Sequence, residues 1–402
     1  MLVGYDLVYF GPERWAGLWR NRHQLMTIFA RRNRVLYVEP RAYLRPTLRR
    51  WQRGEIKWAE LRRSRLAQVR ENLYVYCPSP LTPISGRSPL QEVLDLADRW
   101  MLWRTMHSLG WRAPVVWLSR PTMFNRMGQF NAALTIYHVV DEYTAYGDGN
   151  LASRELIREQ EQRLLQRVDL VIVVSENLLR SKRPLNQHTY LVPNGVDYSR
   201  YAKVMDSDAP PPADIVHLPR PVIGYSGLIA ARLDMALLRE IALSRPEWSL
   251  VLIGAVDDRY CAAEWLTLRQ MPNVHCLGIK EVDLVPRYIK AFDVCLVPYT
   301  LSERADNASP LKLYDYLAAG KPIVTTAFAA ADAFREVVRI ADSNEAFIRH
   351  IEAALSEKDD DLPAKRRRIA ADNTWERRVE QLSDIIQSHW VASRNQPGRR
   401  TQ

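Results

Sequence analysis

Across its 402 residues the chain alternates short β-branched and aromatic runs with amphipathic helical patterns, and it does so in two successive series. No other feature restricts the fold as much, because parallel strands joined by crossover helices are the natural outcome of such alternation. The first series predicts strands at Tyr5–Phe10, Arg34–Val38, Leu73–Cys77, Val115–Leu118, Leu134–Val139, Leu170–Val174 and Thr189–Val192. Helices fill most of the gaps, notably Leu151–Arg167. A Pro-rich polar run, Asp206-Ser-Asp-Ala-Pro-Pro-Pro-Ala-Asp214, then interrupts the pattern and reads as a linker. The second series predicts strands at Pro221–Tyr225, Ser249–Ile253, Val274–Leu277, Val294–Val297 and Pro322–Thr325, with helices such as Met235–Ser244 and Asp283–Ala291. A last helix, Trp375–His389, follows the charged Glu357–Arg368 stretch. The expected class is therefore α/β with two Rossmann-like domains: residues 1–205, a linker at 206–216, a second domain at 217–372, and a closing helix at 373–392 that packs back on the first domain.

Charge separates the two halves. Residues 1–200 carry 30 Lys and Arg against 18 Asp and Glu, a net +12, while residues 201–402 carry 26 against 28, a net −2. Most of the excess lies in residues 31–120, with 18 basic and 7 acidic side chains. A basic half implies an anionic partner: a membrane surface, a phosphorylated substrate or a nucleic acid. Within Arg41–Arg70 and residues 99–112 the basic residues are interleaved with Trp51, Trp58, Trp100, Trp103 and Trp111, which suits a lipid headgroup region better than nucleic acid. No helix-turn-helix, RNP-type aromatic strand or zinc pattern is present to support nucleic-acid binding. The four cysteines form no C-x-x-C pair, so neither a disulfide framework nor a zinc site is expected and a cytoplasmic setting fits. The N-terminus reads as a first strand rather than a signal peptide, and no apolar run reaches the ~18 residues of a membrane span.

Asn307-Ala-Ser-Pro-Leu-Lys-Leu-Tyr-Asp-Tyr-Leu-Ala-Ala-Gly-Lys-Pro322 is the richest stretch chemically. Ser309 is expected to cap a helix with Pro310 at its first position, Gly320 to end it, and Pro322 to open the next strand. The helix N-terminus then offers free N–H groups to a diphosphate, with Lys312 one turn in and Asp315 placed to accept from ribose hydroxyls. A capped amphipathic helix with a surface Lys and Asp is the alternative. Ile223-Gly-Tyr-Ser-Gly227-Leu228 is a strand running into glycines, followed by Arg232; strands ending at Gly254 and at Gly278-Ile279 would place a nucleotide base at the carboxyl edge of the sheet. In the first half, the strand Leu134–Val139 delivers Asp141 to its carboxyl end, while His138 is expected to point elsewhere. Arg20 and Arg22, in the Trp-rich loop after the first strand, suit a donor or acceptor phosphate, or remain solvated.

These segments together resemble the GT-B glycosyltransferases of the glycosyltransferase group 1 superfamily, especially bacterial teichuronic-acid and exopolysaccharide enzymes. The likeness rests on Ser309-Pro-Leu-Lys-Leu-Tyr-Asp-Tyr-Leu-Ala-Ala-Gly-Lys-Pro322, Pro193-Asn-Gly-Val-Asp197, the Gly227 loop with Arg232, and Tyr137-His-Val-Val-Asp141, and it covers most of residues 134–390 in order. Well-known relatives carry two glutamates seven residues apart where this chain has Asn307 and Asp315, so a charged contact from position 307 to the donor sugar is lost. The resemblance implies two Rossmann-like domains facing across a cleft. It also implies a nucleotide-sugar donor, most simply a UDP-sugar, bound by Gly227, Arg232, Gly254, Ile279, Ser309, Pro310, Lys312 and Asp315. A saccharide or lipid-linked acceptor would be deprotonated by Asp141 with inversion, without metal or cofactor, on the cytoplasmic face of the plasma membrane. A GT-B-like partner without activity is the alternative that the missing glutamate keeps open, and a basic nucleic-acid-binding protein is another. A dinucleotide oxidoreductase is not, since no G-x-G-x-x-G follows a strand.

Overall fold

The computed structural model describes residues 1–41, 44–54, 65–78, 89–126, 131–145, 151–257 and 263–394. Trp58 and Cys261 therefore lie outside the described residues. The chain forms two compact units, Met1–Val192 with Arg378–Gln402, and Pro193–Arg377.

The first unit is built on an eight-stranded sheet. Its strands are β1 (Asp6–Phe10), β2 (Arg34–Val38), β3 (Leu66–Arg70), β4 (Leu73–Tyr76), β5 (Val115–Leu118), β6 (Leu134–Val139), β7 (Leu170–Val173) and β8 (Thr189–Leu191). They lie in the order β3-β4-β2-β1-β5-β6-β7-β8. Every pairing is parallel except β3 with β4. Central strands such as Val115-Val-Trp-Leu118 are buried along their whole length, as expected of a parallel sheet covered on both faces. Among the described residues of the Arg- and Trp-bearing region 41–70, Leu44–Gln52 is helical and Leu66–Arg70 is the edge strand β3. From the terminal helix Trp375–Arg394, the residues Val379, Leu382 and Ile386 are completely buried, and Trp390 meets Tyr5 edge to face at 5.4 Å.

The second unit carries a six-stranded, all-parallel sheet in the order β11-β10-β9-β12-β13-β14. Its strands are β9 (Val222–Ser226), β10 (Ser249–Ile253), β11 (Val274–Gly278), β12 (Val294–Val297), β13 (Ile323–Thr326) and β14 (Arg339–Ala341). The expected division at residue 205 is corrected to Val192/Pro193. Packing explains the difference: Val196 and Tyr201 are buried in the second core, and Lys290 Nζ donates to the Val204 and Met205 carbonyls at the end of the helix Tyr198–Met205. The Pro-rich run is likewise a tethered loop of this unit and not a linker. Its Asp214 accepts from Lys280 Nζ at 2.6 Å and from the Tyr288 hydroxyl at 2.7 Å.

Candidate functional site

In the second unit the carboxyl ends of β9, β10 and β12 converge on the helix Leu311–Ala318. Gly227, just past β9, and Gly254, just past β10, both have positive φ, +149° and +141°. A Cβ on Gly254 would lie 1.9 Å from the Gly227 carbonyl oxygen, and one on Gly227 would lie 3.0 Å from Lys312 Cε. Glycine is required at both places so that two strand ends and a lysine can share the space. The Gly227 turn is held by Ser226 N–H, which donates to the Tyr316 hydroxyl at 2.8 Å, and by the Tyr225 hydroxyl, which donates to the Leu228 carbonyl at 2.9 Å.

Lys312 reaches into this pocket. Its Nζ donates to the Tyr299 hydroxyl at 2.5 Å and lies 4.7 Å from the Tyr299 ring centroid and 4.9 Å from that of Tyr225. No carboxylate ion-pairs with it among the described residues. Burial opposes its charge, yet the two phenols outweigh that and raise its pKa above the ordinary lysine value. Arg232 approaches the same Tyr299 ring, its Cζ 5.5 Å from the centroid, because Leu233 bridges to Tyr299 at the end of β12. Burial raises the Tyr299 phenol, but Lys312 and Arg232 pull it below its ordinary value. Two cations thus share one phenol.

The start of the helix differs from the sequence expectation. Pro310, with φ −68° and ψ 120°, occupies the cap position, and Ser309 makes no capping bond. The Ser309 hydroxyl instead accepts from Asn194 N–H at 3.2 Å, and the Ser309 carbonyl accepts from Asn194 Nδ2 at 2.7 Å. The Pro193-Asn-Gly turn therefore claims Ser309, tying the two motifs together. Gly320 closes the helix at φ +69°, as expected. Asp315, one turn beyond Leu311, faces the Tyr201 hydroxyl. Burial raises its carboxyl to about 7, against the opposing pull of Tyr201, Lys312 and Arg200. Ile279 stands apart from this group, 66% exposed at the end of β11.

A ribose diol donates to a carboxylate and favours its ionised form. A nucleotide whose ribose reached Asp315 would therefore bind more tightly as pH rises through about 7, where Asp315 ionises, and level off above. The sign for folding is opposite: with the folded pKa above the ordinary value of 3.8, stability from this group is full below that value and is lost as pH climbs through 7. Calorimetric titration of UDP against wild type and Asp315→Asn between pH 6 and 8 checks this (about one unit either side of the transition). Equal pH slopes in the two proteins would refute the assignment.

In the first unit the site residues cluster at the carboxyl ends of β1, β5 and β6. Arg22 is buried, and its Nη2 donates to Glu13 Oε2 at 2.8 Å; the more exposed Arg20 places Nε 3.5 Å from the same carboxylate. Both arginines are thus partly neutralised, not simply solvated. Asp141 lies two residues beyond β6, half-buried, with Oδ1 accepting from Glu142 N–H at 3.1 Å. Glu142 turns inward: Lys182 Nζ donates to it at 2.9 Å and to Glu161 at 2.8 Å, and Glu161 also accepts from the Tyr137 hydroxyl. His138 is enclosed beside Trp117, and burial lowers its pKa to about 4. Among the described residues no group of three His, Cys, Asp or Glu is placed to hold a metal ion.

Two cationic side chains thus lie against tyrosines under glycine turns at the carboxyl end of a parallel α/β sheet. Residues 220–357, which lie within the second unit, match the family described as Glycosyl transferases group 1. The chain is 31% identical over 200 residues to a putative teichuronic acid biosynthesis glycosyltransferase, TuaH, of Bacillus subtilis (strain 168). That match covers 48% of this chain and 50% of the relative, so it spans about half the relative's length. Sucrose-phosphate synthase from Thermosynechococcus elongatus superposes with a TM-score of 0.70 at 18% identity, over 96% of this chain and 100% of that one. Anabaena Alr3699/HepE in complex with UDP-glucose gives a TM-score of 0.63 at 14% identity, over 95% and 99%. The whole chain has the two-domain GT-B fold.

Proposed function

We propose that the chain is a glycosyltransferase that moves a sugar from a UDP-sugar to a saccharide or lipid-linked saccharide acceptor in cell-surface polysaccharide synthesis. The observation that carries this reading is Lys312, a half-buried side chain whose ammonium meets two phenols and, among the described residues, no ion-paired carboxylate, with Arg232 beside it. A donor diphosphate supplies the missing anion, and Asp315 on the same helix takes the ribose hydroxyls. A UDP-glucose complex of the structurally similar HepE and the name of the Bacillus relative favour the same donor and pathway class. Asp141 serves as the base that takes the acceptor hydroxyl proton, which favours inversion, and the reaction uses no metal or cofactor. The test is a thermal-shift panel of UDP, GDP, ADP and TDP, in which UDP should raise the melting point most. Lys312→Ala should weaken UDP binding roughly tenfold or more, the scale of a lost charge-assisted hydrogen bond. Unchanged affinity in a folded variant would sink the donor-site assignment. The buried Asn307, where relatives carry a glutamate, favours a second reading, a partner protein without activity; sugar transfer or hydrolysis of any nucleotide-sugar by the purified protein would remove it.

The reading includes peripheral contact with anionic membrane at the cytoplasmic face. Val93, Leu96, Trp100 and Trp103 form an exposed stripe at helical spacing on Pro89–Ser108, and Arg104 lies over the Trp100 ring at 5.4 Å. Trp51 is exposed as well. Among the described residues no helix is long and apolar enough to cross a membrane. Co-sedimentation with anionic vesicles should fall with added salt and in Trp100→Ser/Trp103→Ser. Equal binding to neutral vesicles would count against it.

A further inference from the structure

The carboxyl edge of the first sheet holds more positive charge than its own carboxylates use. Ser119 laces three strand ends together there: its hydroxyl donates to the Phe10 carbonyl at 2.8 Å after β1, and its carbonyl accepts from the Tyr143 hydroxyl at 2.9 Å after β6. The next residue, Arg120, is thereby fixed, with Cζ 4.7 Å above the Tyr143 ring. No carboxylate ion-pairs with Arg120 among the described residues. Arg22 is 4% exposed and spends Nη2 on Glu13, but its buried Nε has no hydrogen-bond partner. The acidic groups nearby are already engaged: Glu13 answers to Arg20 and Arg22, and Glu39 accepts Trp15 N–H at 3.0 Å. Burial would raise the Glu13 carboxyl, yet Arg20, Arg22 and Arg120 together hold it below its ordinary value, so three guanidiniums converge on one carboxylate. The buried Tyr9 phenol lies among Arg22, Arg120 and Ser119.

We infer that Arg22 and Arg120 form an anion subsite of the first unit, and that it takes a phosphate group carried by the acceptor. A buried guanidinium nitrogen without a partner is costly to leave dry, and a phosphate oxygen satisfies it with the bidentate geometry that arginine favours. Strand order adds an orientation. Neighbouring strands lie about 5 Å apart, so an anion at the β1/β5 junction sits roughly one sugar ring from Asp141 at the end of β6. The arginines attract the phosphate while the Asp141 carboxylate repels it, which directs the hydroxyl end of the acceptor to Asp141. This deepens the proposed function and rests on it, because it specifies the acceptor as a phosphorylated or pyrophosphorylated saccharide.

The same chemistry could be met by phosphates of the donor, and the experiment separates the two sources. Protein saturated with UDP is titrated with inorganic pyrophosphate, read by the fluorescence of Trp15 and Trp19, which flank the neighbouring His23 at 4.7 and 4.9 Å. Pyrophosphate should bind the UDP-loaded protein. Arg120→Gln should weaken that binding roughly tenfold or more, and Arg120→Lys should recover part of it, while UDP affinity stays at the wild-type value. Pyrophosphate that binds only in the absence of UDP would assign the arginines to the donor and overturn the inference, as would unchanged affinity in Arg120→Gln. Arg120 is not buried, so its variants keep the fold where Arg22→Gln could lose it. Failure of UDP itself to bind the wild type would instead strike the proposed function.

Discussion

Asp141→Asn should leave UDP binding unchanged and lower the rate of sugar transfer by ~10²–10⁴-fold, the range of general-base loss. The substitution keeps the side-chain oxygen that accepts from Glu142 N–H, so that bond of the turn after β6 is preserved while basicity is removed. The effect should fall on kcat and kcat/KM together, because a base acts in the transition state and not in binding. Glu142 is the neighbouring carboxylate and the natural comparison, but the structure changes what its variant reports. With Lys182 and Thr144 on its oxygens, Glu142→Gln disturbs a buried ion pair and should lower the melting point more than the chemistry. Near wild-type transfer by Asp141→Asn would dismiss it as the base. If Glu142→Gln were then inactive while still folded, the inward carboxylate would have to be the reactive one; if neither mattered, a retaining mechanism would explain the site better.

The sheets were legible because parallel strands buried on both faces are written as continuous apolar runs. Arg34–Val38, Val115–Leu118, Leu134–Val139, Ser249–Ile253 and Val294–Val297 are strands with the boundaries that pattern predicts. Leu66–Arg70 was illegible for the converse reason. It is an antiparallel edge strand with Gln68, Val69 and Arg70 exposed, so its composition follows solvent and not the core. The three-residue β14 is too short to carry any period. At the helix Leu311–Ala318 the residues could be named from their order, but their bonds could not. Ser309 looks like a cap until Asn194, 115 residues earlier, is seen to engage it. Tyr299 carries no motif; its place directly after the Val297-Pro298 strand end was the one available signal, and its partnership with Lys312 and Arg232 exists only in three dimensions. The domain boundary failed similarly, since composition flags a loop and says nothing of which core anchors its ends.

Lys182→Met should destabilise the first unit by about 3–5 kcal/mol, the cost of removing one partner from a buried ion cluster, and lower its melting point by about 10 °C. Lys182 is 5% exposed and its ammonium is the counter-ion of two buried carboxylates, Glu142 and Glu161, on different elements. Burial opposes the charge of Lys182, but Glu161 and Glu142 outweigh it and raise its pKa. Burial likewise raises the Glu142 carboxyl, but Lys182 holds it below its ordinary value. The wild-type pair therefore contributes stability above the ordinary carboxylate range, loses it as pH falls through the depressed value of Glu142, and loses it again in strong alkali as Lys182 deprotonates. In the variant burial acts on Glu142 against the Thr144 hydrogen bonds alone, which favours protonation of its carboxyl over an uncompensated charge. The stability difference between wild type and Lys182→Met should hence be largest near neutrality and shrink toward acid, measured by urea denaturation across pH. Combining Lys182→Met with Glu142→Gln and Glu161→Gln should recover much of the loss, because it removes the stranded charges instead of adding to them. A difference that is flat with pH, with no recovery in the triple variant, would mean that Lys182 stabilises the unit by packing alone. The turn that presents Asp141 would then owe nothing to the charge beneath it.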